Sequence, residues 1–197
     1  MKKIYTFMAM AFMVMLSLTF TSCEYDDDSA IAYTLEGTWS GNMQMSWIYD
    51  GRTYNASYSE LCFARDPYRF SSGTGYWIDY YQGRTPWGRN YVASHIEWRV
   101  INSYIEIYFV EEDEYVRIQD YRLSDNYFSS YFSGTIVYGD SYIDFRLRHV
   151  DSPNWYNYEY GWYDDYYYAK QGRMMAPAKP GAEKPEAPKR VIGHSDK

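Results

Sequence analysis

The chain of 197 residues holds only two cysteines, three histidines and seven prolines, and between residues 23 and 169 it has no lysine at all. Two cysteines exclude a disulfide framework as the source of stability. There is no Gly-x-Ser-x-Gly elbow, phosphate loop, His-Glu-x-x-His helix or Cys-x-x-Cys pair, so none of the common catalytic or metal-binding constellations is legible. Neither an enzyme nor a cofactor nor a metal site is expected. The lysine-free stretch carries ten arginines against 23 acids, while residues 170–197 carry seven basic groups against three acidic ones. A body so acidic repels nucleic acid, whose binding rests on neutralised phosphates. What is abundant is aromatic: 26 Tyr, 9 Phe and 7 Trp, 21% of the chain, within a hydrophobic fraction of 46%. That excludes a wholly disordered chain, because burial of this much apolar surface offsets the entropy of ordering. The length suits one domain with tails.

Lys2 and Lys3 precede an apolar run from Ile4 to Phe20, followed by Thr21 and Ser22. Residues 1–22 read as a secretory signal peptide, since the run falls short of the roughly 20 residues a membrane span needs and ends in small residues. Phe20-Thr21-Ser22-Cys23 resembles a bacterial lipobox, with Phe20 where leucine is commoner. The resemblance implies cleavage before Cys23 and lipid modification of that cysteine, with acyl chains such as palmitate. Each buried methylene contributes about 0.8 kcal/mol, and two or more chains together anchor stably. Glu24, Asp26, Asp27 and Asp28 form an acidic run that resembles the export signal of surface-displayed lipoproteins in one group of Gram-negative bacteria. The expected location is the outer membrane, facing the cell exterior, with residues 23–32 as an acidic tether. Asp28-Ser29-Ala30 resembles the O-glycosylation tripeptide of the same bacteria. Asn55-Ala56-Ser57 fits the Asn-linked sequon, which a bacterial context makes a chance match.

From Leu35 to His149 alternation with period two recurs between Gly, Asn and Asp punctuation, which predicts strands. Trp39, Gly41, Met43, Met45 and Trp47 share one face of a first strand, and Asp50-Gly51 suits the two-residue hairpin turn that needs positive dihedrals. A second strand runs from Arg52 to Ala64. The glycines of Ser72-Gly73-Thr74-Gly75 suggest a bulge or a bend ahead of Tyr76–Tyr81. Ile96, Trp98 and Val100 face inward opposite His95, Glu97 and Arg99, and Asn102-Ser103 turns the chain into Ile105, Ile107 and Phe109. Strands over Tyr115–Leu123 and Tyr127–Tyr138 come next, then one that buries Ile143, Phe145 and Leu147. Eight strands at this spacing predict an all-β fold, a single antiparallel up-and-down barrel or a sandwich.

Leu35-Glu36-Gly37-Thr38-Trp39-Ser40-Gly41 resembles the Gly-x-Trp opening of lipocalins and of bacterial lipocalin-like lipoproteins. Ser72–Gly75, Glu97-Trp98-Arg99-Val100 and Ile118–Ser124 leading to Phe128 are similar to further pieces of the bacterial kind. The resemblance implies a lipocalin-like, calycin-type barrel over residues 33–150, with its first tryptophan near the closed end. It names no ligand.

Residues 151–170 are rich in Tyr and Trp. They read as a ninth strand, as an adhesive surface of the rigid amphipathic kind that recognition favours, or as an extended segment cladding the barrel. Residues 171–197 are Ala, Pro, Lys and Glu without aromatics and predict a disordered tail. Cys62 reads as a buried inert thiol, His95 and His149 as solvent-facing, and Glu111–Glu114 as a solvated turn rather than a calcium loop. The candidate ligand residues are Trp87, in a Gly/Pro loop, with Trp77 and Trp98.

Two functions remain open. One is a non-enzymatic surface protein binding a small apolar molecule or glycan in or at the mouth of the barrel; the other is an accessory protein docked on an outer-membrane complex through its Tyr-rich surface. A cavity of about 300 Å³ or more would favour the first. A barrel filled by Trp39, Met43, Met45, Trp98 and Phe145 would remove it.

Overall fold

The computed structural model describes residues 27–83, 85–126, 129–161 and 189–193. The signal peptide, Cys23, Glu24 and Asp26 lie outside them, as do Trp162–Tyr168 and most of the tail.

Eight strands close a barrel, antiparallel throughout: β1 (Gly37–Gly41), β4 (Tyr58–Arg65), β5 (Ser72–Tyr80), β6 (Tyr91–Ile101), β7 (Tyr104–Phe109), β8 (Glu114–Asn126), β9 (Ser129–Tyr138) and β10 (Ser141–Val150). Closure is made by β1, which pairs with β10 on one side and β4 on the other. No open edge is left in this sheet. The eight-stranded barrel agrees with the calycin-type architecture, and the expected inward residues of β6, β7 and β10 are buried.

The first expected hairpin is divided. After β1 the chain breaks at Asn42–Gln44, where the Asn42 side chain accepts from Gln44 N at 2.8 Å and Gln44 takes a φ of 52°. The next two strands, β2 (Met45–Tyr49) and β3 (Arg52–Asn55), leave the barrel and fold across one mouth. The Asp50-Gly51 turn between them has the positive φ at both positions that this pair suits. A third strand, β11 (Lys189–Ile192), pairs antiparallel with β2, so the lid has the order β11-β2-β3. The disordered tail expected for residues 171–197 is therefore corrected at residues 189–192. Arg190 and Ile192 gain burial there that nothing local in the tail offers.

The opposite end is plugged by helix α1 (Asp27–Leu35), which seats Ala32 and Leu35 against the core. The acidic tether expected to residue 32 thus gives way to a helix at Asp27. Asp28 caps the β6–β7 turn, accepting from Asn102 N at 2.9 Å and Ser103 N at 2.8 Å. Trp39 donates from Nε1 to the Leu35 carbonyl at 2.8 Å, which places the first tryptophan at this closed end. No helix among the described residues is long and apolar enough to cross a membrane.

Inside, Phe132 is the hub, with ring centroids 5.7 Å from Trp39, 6.3 Å from Phe63 and 4.9 Å from Phe145. Trp39, Met43, Met45, Trp98 and Phe145 are all buried. Gly73 and Gly75 mark no bulge, because the β4–β5 register runs unbroken past both. They permit close approach instead: a Cβ on Gly75 would lie 1.8 Å from the Cys62 carbonyl oxygen. The ladder shifts register elsewhere, in β8–β9 between Gln119 and Arg122, where Asp120 has a φ of 51°.

Candidate functional site

Period two puts Trp77 and Asp79 of β5 on the same inward face, and β5 ends at the mouth that the lid covers. A carboxylate thus faces the barrel interior, and Asp79 has no exposed side-chain surface. Two donors of the barrel and one of β2 surround it. Oδ1 accepts from Ser59 Oγ at 2.6 Å and Trp77 Nε1 at 2.8 Å, and Oδ2 lies 3.5 Å from Trp47 Nε1.

The fourth partner comes from the other end of the sequence. Arg190 of β11 is 3% exposed, and its Nη1 donates to Asp79 Oδ2 at 2.7 Å. Nη2 donates to Ser94 Oγ at 2.7 Å and to Glu112 Oε1 at 3.1 Å, and Ser94 Oγ itself donates to Glu112 Oε1 at 2.7 Å. The guanidinium carbon lies 4.1 Å from the Phe109 ring centroid, 4.9 Å from Trp47 and 5.7 Å from Trp77. Two carboxylates and three aromatic rings around a planar cation make a cation box. Burial pushes the Arg190 pKa down, yet the Glu112 and Asp79 carboxylates more than offset it and the net shift is upward. The arginine stays charged.

The fit is incomplete. Arg190 Nε, Glu112 Oε2 and the Tyr81 hydroxyl have no hydrogen-bond partner. Burial, followed by the Asp79 charge, raises the Tyr81 pKa above its ordinary value. Replacing a buried ion pair by apolar side chains of the same volume is often neutral or stabilising, so packing alone does not account for a charged box here.

Of the expected ligand residues, Trp77 lies in this box. Trp87 does not serve as an exposed stacking platform: it is half-buried, donates to the Tyr91 carbonyl at 3.1 Å, and sets its ring 5.2 Å from Tyr54 and 5.3 Å from Tyr81. It buttresses the lid through β3. Trp98 is buried toward the other end, bonded to the Thr74 carbonyl and edge-on to Phe63, so the three are not brought together.

The turn Glu111–Glu114 is not merely solvated. Glu111 meets His95 Nδ1 at 2.5 Å, Glu112 meets Arg190, and Glu114 accepts from the Tyr138 hydroxyl. His95 faces solvent as expected, with its side chain 46% exposed, and it also packs against the Tyr160 ring at 3.9 Å. His149 packs edge-on against Trp39. Cys62 is buried as expected, and burial pushes its thiol pKa up. Among the described residues no three His, Cys, Asp or Glu side chains gather as a metal site.

Two features stand outside the mouth. The described part of the Tyr-rich segment clads the outer wall of β5 and β6: Trp155 stacks on Tyr76 at 5.0 Å, Tyr158 bonds the Tyr80 hydroxyl at 2.6 Å, and Tyr160 makes a single bridge to Ala93. A groove of about 590 Å³ opens on the outer wall toward the α1 end, lined by Arg65, Arg69, Arg99, Glu106, Tyr108 and Tyr115 among others. There Glu106 bridges Arg99 and Arg117, whose hydrogen bonds and charge hold its carboxyl below the usual range.

Comparison of the chain with family models, curated proteins and solved structures gives no match in any of the three. The closed eight-stranded antiparallel barrel is consistent with a calycin-type binding protein.

Proposed function

We propose that the chain is a lipid-anchored, non-catalytic binding protein of the outer-membrane surface, and that it engages its ligand at the lidded mouth rather than in the barrel interior. The charged aromatic box carries this reading. It is built where the barrel meets the lid, it exceeds what packing needs, and a strand of only four residues supplies its cation. The interior gives a small apolar molecule or glycan less support, because Trp39, Met43, Met45, Trp98 and Phe145 are all buried in the core. Docking on an outer-membrane complex through the Tyr-rich surface is the weaker reading, since Trp155, Tyr158 and Tyr160 turn their rings to the chain's own barrel.

The lipobox-like Cys23 and the acidic run after it support the anchor. Helix α1 begins four residues beyond Cys23 and sits at the end of the barrel opposite the lid, an arrangement that suits an anchor leaving the mouth accessible. Two results are expected. Protease added to intact cells removes the protein, and Cys23→Ala moves it to the soluble fraction. Resistance on intact cells, or a Cys23→Ala form that stays with the membranes, contradicts the reading.

A further inference from the structure

The barrel and β2 hold the carboxylate ready without β11, the strap across the mouth. Ser59, Trp77, Trp47, Ser94, Glu112 and Phe109 all lie between residues 47 and 112, and none of the box except Arg190 comes from β11. The strap brings only what an extended peptide brings: main chain and alternating side chains. Its register is Lys189 with Ile48, Arg190 with Trp47, Val191 with Ser46 and Ile192 with Met45, and it is continued by Gly193 N donating to the Gln44 carbonyl at 3.0 Å. Main-chain pairing to a strand edge is indifferent to sequence; pockets for alternate side chains supply selectivity. Here the alternate side chains are Arg190 and Ile192, each 3% exposed, whereas Lys189 points to solvent.

We propose that the mouth is a strand-addition site for an extended peptide segment presenting an arginine and, two positions on, an aliphatic side chain, and that residues 189–193 occupy it in cis as a stand-in for that segment. This rests on the reading of the mouth as the binding surface. Three observations support it beyond the pairing. Among the described residues the strap is the edge strand of the lid and pairs only with β2. The box meets a guanidinium with two carboxylates and three aromatic rings, so its chemistry selects an arginine. The body is acidic throughout residues 23–169 while the strap belongs to the one basic segment of the mature chain, so the long-range field draws basic peptides to it. A tethered segment acts at a raised effective concentration, which a free peptide must overcome.

The test uses the full chain and the blocked peptide Lys-Arg-Val-Ile-Gly, which reproduces residues 189–193. In the chain carrying Arg190→Ala and Ile192→Ala the peptide is expected to bind saturably, with a change in tryptophan fluorescence as the guanidinium meets Trp47 and Trp77. The unaltered chain binds it at least about tenfold more weakly, because its own strap competes, and the same peptide with alanine for arginine loses at least about tenfold on the double variant. A folded double variant that ignores the peptide, or that takes both peptides equally, overturns the proposal. Should that variant not fold, a protease site placed at residues 176–182 of the otherwise unaltered chain is cut once, and native mass spectrometry tracks the freed C-terminal piece under excess peptide. Exchange supports the proposal; retention of the piece at saturating peptide overturns it. Neither readout depends on the lipid, so failure here with protein still accessible on cells removes the ligand class and leaves the surface reading standing.

Discussion

Asp79→Ala is expected to release the C-terminal strap from the mouth. The substitution leaves Arg190 with Glu112 as its only anionic partner and takes the acceptor from Ser59 Oγ and Trp77 Nε1. Breaking a buried ion pair from one side costs about 3–5 kcal/mol where the orphaned charge has no exit. Arg190 has one, because it rides on an edge strand of four residues. The arginine's share of the loss is therefore capped at the free energy that docks the strap, the orphaned Ser59 and Trp77 donors add about 1–3 kcal/mol each, and the barrel stays closed beneath it. Denaturant unfolding is expected to show a cooperative barrel transition at reduced stability, and limited proteolysis should clip the Asp79→Ala chain near Lys189 and Arg190 while sparing the barrel. A full loss of about 3–5 kcal/mol with the strap still protected would mean that the strap and the barrel are one unit.

Alkaline conditions are expected to unfold the protein over a narrow range. Tyr58, Tyr80, Tyr81, Tyr121, Tyr138 and Tyr160 all have phenol pKa values above the ordinary one, with burial the largest cause at each, and that of Tyr121 is pushed up to about 12. The unfolded chain releases these protons at about pH 10, where the folded chain keeps them. Between the two values the unfolded state binds fewer protons, so stability falls as pH rises. The contribution is fully present below about pH 10 and is lost as pH climbs toward the folded values. Tyr81, the most buried of the six, removes about 1.4 kcal/mol per pH unit on its own; the half-exposed ones remove less because water screens them. Thermal midpoints should be nearly flat from about pH 7 to 9 and collapse above about pH 10, with tyrosinate absorbance rising in step with unfolding. Tyrosinate that forms fully in a chain that stays folded would show these phenols to be solvated.

The barrel was largely legible in the sequence because its strands are written in local alternation. Ile96, Trp98 and Val100, or Ile143, Phe145 and Leu147, state their own parity, and Asp50-Gly51 and Asn102-Ser103 carry turn chemistry that needs no tertiary context. The lid was hidden by the same pattern. Met43 and Met45 keep the parity of Trp39 and Trp47 straight across the break at Asn42–Gln44, so alternation does not reveal that the chain leaves one sheet for another. Helix α1 escaped because only Ala32 and Leu35 of its nine residues are buried, too few to trace a 3.6-residue stripe. Half of the box was within reach, since Asp79 shares the parity of Trp77 and an acid on an inward face asks for a partner. The other half was not. Arg190 is set in a tail of alanine, proline and lysine, and its partners stand at positions 79, 94 and 112, a long-range match that leaves no local period.

Hydrogen exchange on the unaltered full chain tests most directly whether the mouth is closed by a separable strap. The amides of Val191 and Gly193, which face β2, and those of β2 that face them, should open at a free energy well below that of β5 and β9 in the barrel wall. Addition of the Lys-Arg-Val-Ile-Gly peptide should lower the protection of the strap while that of β2 is kept. Equal protection of β11 and the barrel core, unmoved by the peptide, would contradict the account and make Arg190 a fixed part of the fold.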